Sequence, residues 1–145
     1  MNTKISREII FRDLMETKIS PLLGKFLFQQ YKIQKFLSSL ILWRLIGNSL
    51  SMDWIKKNKK ILMKIRDATI GHLIRYLPEN DELCKKLNKY NERRNKIVHH
   101  QDILEEIFGE KVENYENFIK ETLKLGEEII EKLIEALKKR GQIII

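Results

Sequence analysis

Residues 112–137 read VENYENFIKETLKLGEEIIEKLIEAL, and their spacing decides the fold. Val112, Tyr115, Phe118, Ile119, Thr122, Leu125, Ile129, Leu133 and Leu137 recur at steps of three and four, the period that puts side chains on one face of an α-helix. Glu and Lys fill the other side, and Gly141 closes the run. The same punctuation repeats upstream. A short turn ending at Gly109 precedes this helix. Before it, Asn80 or Asp81 caps a helix with Leu83, Leu87 and Tyr90 on its inner stripe, which runs into NERRNKIVHH at residues 91–100. Residues 53–77 carry Ile61, Leu62, Ile65, Ala68, Ile70, Leu73 and Leu77 at helical spacing with lysines outside, and Pro78 stops them.

Residues 22–46 hold apolar side chains on nearly every face, among them Leu23, Phe26, Leu27, Phe36, Leu37, Leu40 and Ile41. Such a helix is either the centre of the bundle or covered by a second chain. Ser20-Pro21 reads as a cap followed by a proline in the first turn, separating this helix from one over residues 6–19. No strand alternation, repeat or low-complexity linker interrupts the series. The expectation is an all-α protein, a four- to five-helix up-down bundle forming one domain over residues 1–145.

Composition narrows the function. The chain is 43% hydrophobic and 33% charged with two prolines, the profile of a helix-rich globular domain rather than a disordered one. Cys84 is the single cysteine, which rules out an internal disulfide framework and a zinc cluster and fits a reducing cytoplasm. No metal or other cofactor is expected. The start, MNTKISREIIFRD, lacks an apolar core of signal-peptide length, and Arg44 interrupts the strongest apolar run, so a cytoplasmic protein without a membrane span is expected.

The net charge of +8 is unevenly distributed. Residues 1–50 hold eight basic against three acidic side chains, residues 51–100 thirteen against six, and residues 101–145 seven against eleven. Two readings fit this middle basicity: a surface for a polyanion, or a lysine-rich solvated helix face. Lys56, Lys57, Lys59, Lys60 and Lys64 carry much of it, with Lys96 beside the 91–100 stretch.

That stretch crowds Arg93, Arg94, Asn95, His99 and His100 around Ile97 and Val98, which point to the core. On a helix turning about 100° per residue, Asn95 shares a face with His99 and Arg93 with His100, whereas Arg94 and His99 diverge by about 140°. Guanidinium grips an anionic oxygen and imidazole moves a proton near neutral pH, so the set suits phosphate chemistry. It equally suits the solvent-facing end of a basic helix whose histidines meet the C-terminal dipole.

Arg94-Asn95-Lys96-Ile97-Val98-His99 resembles the R-x4-H motif, with a polar residue after the arginine, of the HEPN superfamily (higher eukaryotes and prokaryotes nucleotide-binding domains). Ala68-Thr69-Ile70-Gly71-His72-Leu73-Ile74 is similar to the T-[LI]-G-x-L-I string that precedes the motif in many small members. The resemblance implies a HEPN-like bundle and a metal-independent endoribonuclease working as a homodimer whose paired motifs line one cleft. His99 would take the proton of a ribose 2′-OH, Arg94 would stabilise the charge on the phosphorane, and Asn95 would orient the histidine or a phosphate oxygen. Products would be a 2′,3′-cyclic phosphate and a 5′-OH, and DNA would survive. His100 and Arg93 are secondary candidates, and Lys56, Lys57, Lys59, Lys60, Lys64 and Lys96 would help hold RNA. The resemblance also implies a toxin or antiviral setting with a cognate antitoxin. Members neutralised by a nucleotidyltransferase-type antitoxin carry a tyrosine two residues after the histidine, where this chain has Gln101. The other reading is a catalytically silent helical module that binds RNA, nucleotide or a protein partner.

The remaining conspicuous side chains are expected to be structural. Trp43 and Trp54 read as core or interface anchors, His72 as a packed or hydrogen-bonded histidine, Tyr90 as a core or rim aromatic and Cys84 as a surface thiol. The terminal Ile143-Ile144-Ile145 reads as an apolar tail over the bundle or a dimer seam.

Overall fold

Hydrophobic periodicity is realised as helix throughout the computed structural model, which describes residues 9–10, 13–46, 52–99 and 112–139, without the side chain of His99; no strand occurs among them. Among the described residues six α-helices follow one another: α1 Ser20–Ile46, α2 Met52–Lys57, α3 Lys59–Arg66, α4 Ile70–Ile74, α5 Glu82–His99 and α6 Val112–Lys139. The long helix α1 lies along α6, and α5 packs on α6 as well. The short α3 and α4 rest on α1, and α4 also reaches α5. The protein is therefore an all-α bundle. No helix among the described residues is long and apolar enough to cross a membrane.

The stripe read from α6 is its buried face: Val112, Tyr115, Ile119, Thr122, Ile129, Leu133 and Leu137 all turn inward. Phe118 and Leu125 flank it, partly buried. Against it α1 buries Phe26, Ile33, Leu37, Leu40 and Ile41. Each fully buried aliphatic side chain stabilises the fold by roughly 1.5–3 kcal/mol over an exposed one. At Gln29 the contact between α1 and α6 is polar. Gln29 is buried, donates from Nε2 to the Leu123 carbonyl at 2.7 Å, and accepts from the Tyr90 hydroxyl at 3.0 Å. Gly126 makes room for this, because a Cβ there would collide with the Gln29 amide. Phe26 and Tyr90 meet with ring centroids 5.8 Å apart.

Two expectations about boundaries fail. The chain does not break at Ser20-Pro21. A π-helical turn, Met15–Ile19, runs straight into α1, and the Ser20 N–H bonds back to the Met15 carbonyl with Ser20 in helical geometry. The wider π turn accommodates the chain where Pro21 brings no N–H and needs room for its ring. Residues 53–77 are not one helix but three. Asn58 leaves helical geometry and turns its side-chain amide onto the Trp54 carbonyl at 2.8 Å. Thr69, extended, caps α4 by accepting from the His72 N–H. Asp81 is the cap of α5, its Oδ1 taking the Leu83 N–H at 3.2 Å.

Several single residues also differ from expectation. Ile61 is exposed. Val98 is exposed while its neighbour Ile97 is buried. Trp43 is 42% exposed and so is no core anchor, whereas Cys84 is buried beneath the Asn88 amide, 3.6 Å from Sγ. Tyr90, expected at the core or its rim, is a core residue. The tail at residues 143–145 lies outside the described residues.

Candidate functional site

Arg93 and Arg94 leave α5 on different sides. The Arg93 guanidinium turns to α6, where Nε donates to Thr122 Oγ1 at 2.7 Å and Nη2 to the Phe118 carbonyl at 3.0 Å. Nη2 also meets Glu121 at 3.2 Å, and the guanidinium carbon sits 3.9 Å over the Phe118 ring. These contacts occupy both the fork and the flat face of the group, which cements α5 to α6.

Arg94 instead faces a cleft of about 430 Å³ between α1 and the α3–α4 turn, lined also by Gln30, Tyr31, Gln34, Ala68, Thr69 and Ile70. Its partners are neutral amides. The Gln30 side-chain oxygen, in the orientation that satisfies both groups, accepts from Nε at 2.6 Å and Nη2 at 3.2 Å, and Asn95 Oδ1 accepts from Nη1 at 3.3 Å. No carboxylate neutralises this guanidinium within those contacts. Asp67, the one acid among the described residues of the cleft wall, is engaged by Arg66 at 3.2 Å. The Arg66 hydrogen bond holds the Asp67 carboxyl below the usual range, with the Arg66 and Lys35 charges adding to it.

The wall opposite Arg94 is fixed by α1. Gln34 Nε2 donates to the carbonyls of Arg66 and Ala68, both at 3.0 Å, satisfying groups that the end of α3 leaves without helical partners. Next along the chain, Gly71 sits against α5: a Cβ there would stand 3.3 Å from Asn91 Nδ2, closer than ordinary packing. Asn91 Oδ1 is buried there with no hydrogen-bond partner among the described residues. Thr69 Oγ1 and His72 Nδ1 are 3.0 Å apart, so His72 is hydrogen-bonded as expected, at the surface. Residues 68–74 and residues 91–95, distant in sequence, therefore stand face to face.

Of the sequence candidates, Arg94 lines this cleft and Asn95 touches it only through its hydrogen bond to Arg94; the backbone of α5 extends to His99, whose side chain lies outside the described residues, as do His100 and Gln101. Arg93 is committed to α6. Lys56, Lys57, Lys59, Lys60, Lys64 and Lys96 are exposed, and none of them lines the Arg94 cleft. Gln30, Gln34 and Tyr31 do line it and were not singled out from sequence. Their signal was spacing: Gln30 and Gln34 stand four residues apart, on one face of α1. Among the described residues no three His, Cys, Asp or Glu gather to hold a metal ion. Compared with models of protein families, with curated proteins and with solved structures, the chain matches none.

Proposed function

We propose that this chain is a HEPN-type, metal-independent endoribonuclease acting at the Arg94 cleft. The observation that carries the reading is the convergence of the two sequence stretches on one cleft: Ala68, Thr69 and Ile70 on one side, and on the other Arg94, to which Asn95 is hydrogen-bonded. In this reading Arg94 exchanges its contacts with Gln30 and Asn95 for a phosphate oxygen, a charge-assisted bond stronger than the neutral ones it replaces. His99 takes the proton from the ribose 2′-OH as the 2′-oxygen attacks phosphorus. The bond to the 5′-oxygen breaks, that oxygen picks up a proton, and the products are a 2′,3′-cyclic phosphate and a 5′-OH. Asn95 steers the guanidinium or the histidine. Leu27 and Tyr31, each 59% exposed on the rim of the cleft, form a seam on which a second copy would close the site, in keeping with a homodimer. A toxin or antiviral role with a cognate antitoxin belongs to the same reading.

The second reading, a catalytically silent binding module, draws on one observation: the Gln30 and Asn95 amides already hold Arg94 in place. One experiment separates the two. Purified protein is incubated with total RNA and with single-stranded DNA in EDTA, beside Arg94→Ala and His99→Ala variants. Cleavage of RNA alone, ending in cyclic phosphate and lost in both variants, is the expected result. RNA bound but intact would transfer the cleft to the binding module, and neither binding nor cleavage would remove both readings.

A further inference from the structure

The other flank of α1 carries a second groove, about 520 Å³, that shares no residue with the Arg94 cleft and runs between α1 and α6. Lys25 and Lys32 border it from α1, Lys120 and Lys124 from α6, and Phe28 stands among them 62% exposed. Among the described residues Glu127 is the one carboxylate in the lining, against four lysines. Lys120 is also paired with Glu116 at 2.9 Å. The two lysines of α1 are two turns apart, about 10 Å along the axis, and those of α6 one turn apart, about 6 Å. They form two cationic rails, and Leu123 and Ile130 also line the groove. Lys32 Nζ lies 4.7 Å from the centre of the Phe28 ring and covers one aromatic face.

A large aromatic left in water beside a double row of cations is the arrangement that binds unpaired nucleotides: phosphates follow the cations and a base lies on the ring. We infer that the α1–α6 groove is a binding site for single-stranded nucleic acid, with Lys25, Lys32 and Lys124 on the backbone and Phe28 as the stacking platform. Lys32 then shifts from the ring to a phosphate. Duplex binds poorly, because its bases are not free to reach Phe28. Nothing in the groove distinguishes ribose from deoxyribose, so RNA and DNA strands bind alike. Binding here does not depend on cleavage at Arg94 and His99.

The test uses the full chain with His99→Ala, so that any cleavage is removed, and measures fluorescence anisotropy of labelled oligo-U, oligo-dT and a duplex of equal length over a salt series. Replacing Lys25, Lys32 and Lys124 together by Gln is expected to lower the slope of log affinity against log salt by about 2, near 0.7 for each lost phosphate contact. Phe28→Leu is expected to weaken both single strands about 10-fold with the slope unchanged, in the range measured for one stacked base. Both variants change exposed side chains, and thermal melting confirms that they fold. An unchanged slope in the triple variant overturns the proposal. So does equal binding of duplex and single strand, or a loss that instead follows Lys56→Gln with Lys57→Gln and Lys60→Gln. RNA cleavage is read separately in the native protein, so the groove and the Arg94 reading can fail independently.

Discussion

Arg93 and Arg94 are neighbours of the same type on one helix, yet they occupy opposite situations. On the α6 flank Arg93 has its cation spread over Phe118 and its donors spent on Thr122, Glu121 and a main-chain carbonyl. On the α1–α4 flank Arg94 keeps an open cleft in front of it and, among the described residues, hydrogen-bonds to the neutral amides of Gln30 and Asn95. A guanidinium held by a carboxylate and an aromatic is costly to move. One held by amides can exchange them for a phosphate without leaving a charge unpaired. The difference teaches that an arginine's role follows from which neighbour it turns to, not from its place in a motif.

The largest effects should come from swapping the fates of the two. Arg94→Ala is expected to reduce RNA cleavage at least 100-fold, the usual scale for losing a transition-state charge stabiliser, with little change in melting temperature. Arg93→Ala should do the reverse, destabilising by roughly 3 kcal/mol, or about 10 °C in melting temperature, from lost charged hydrogen bonds and the ring contact. The fraction that remains folded should cleave normally. Equal losses of stability in the two variants would erase the distinction between the flanks.

Gly126→Ala attacks the packed flank at its tightest point. The added methyl has no space, because the Gln29 amide fills it, and Gln29 must then give up Leu123 or Tyr90. A loss of about 2–3 kcal/mol in denaturant unfolding is expected, the upper part of the range for overpacking. A neutral result would mean that α1 and α6 part more easily than the buried Gln29 contact implies.

The sequence disclosed the packed flank better than the open one. Apolar spacing in α6 identifies its buried face, and Asp81 announces the start of α5, because both signals are local to one helix. The breaks within residues 53–77 are not local. Asn58 and Thr69 are compatible with helix in isolation, and the turn before α4 is stabilised by Gln34, more than thirty residues upstream, taking the Arg66 and Ala68 carbonyls. The cleft was half legible. Arg94, Asn95 and residues 68–74 stood out as stretches, but Gln30 and Tyr31 did not, since apolar and polar side chains alternate around nearly every face of α1 and its spacing does not mark the flank that faces Arg94. Helical angles alone separate Arg93 from Arg94 without saying which of them meets α6.

Tyr90 lies where the two flanks meet, and it yields the smallest and most specific prediction. Burial pushes its phenol well above the usual tyrosine range, with the Arg94 charge pulling the other way. In the unfolded chain the phenol ionises near pH 10. Above that pH the unfolded state releases a proton that the folded state keeps, so the unfolded state binds fewer protons and stability falls as pH rises. Tyr90→Phe removes the hydroxyl that Gln29 Oε1 accepts from, at a cost of about 1 kcal/mol near neutral pH. It also removes the alkaline loss. The stability gap between native protein and variant should therefore narrow between about pH 9 and pH 11. Urea unfolding of the two proteins side by side cancels the titration of every other group. A gap that stays constant across that range would mean the phenol is reached by water, and that the open cleft at Arg94 extends into the core beside it.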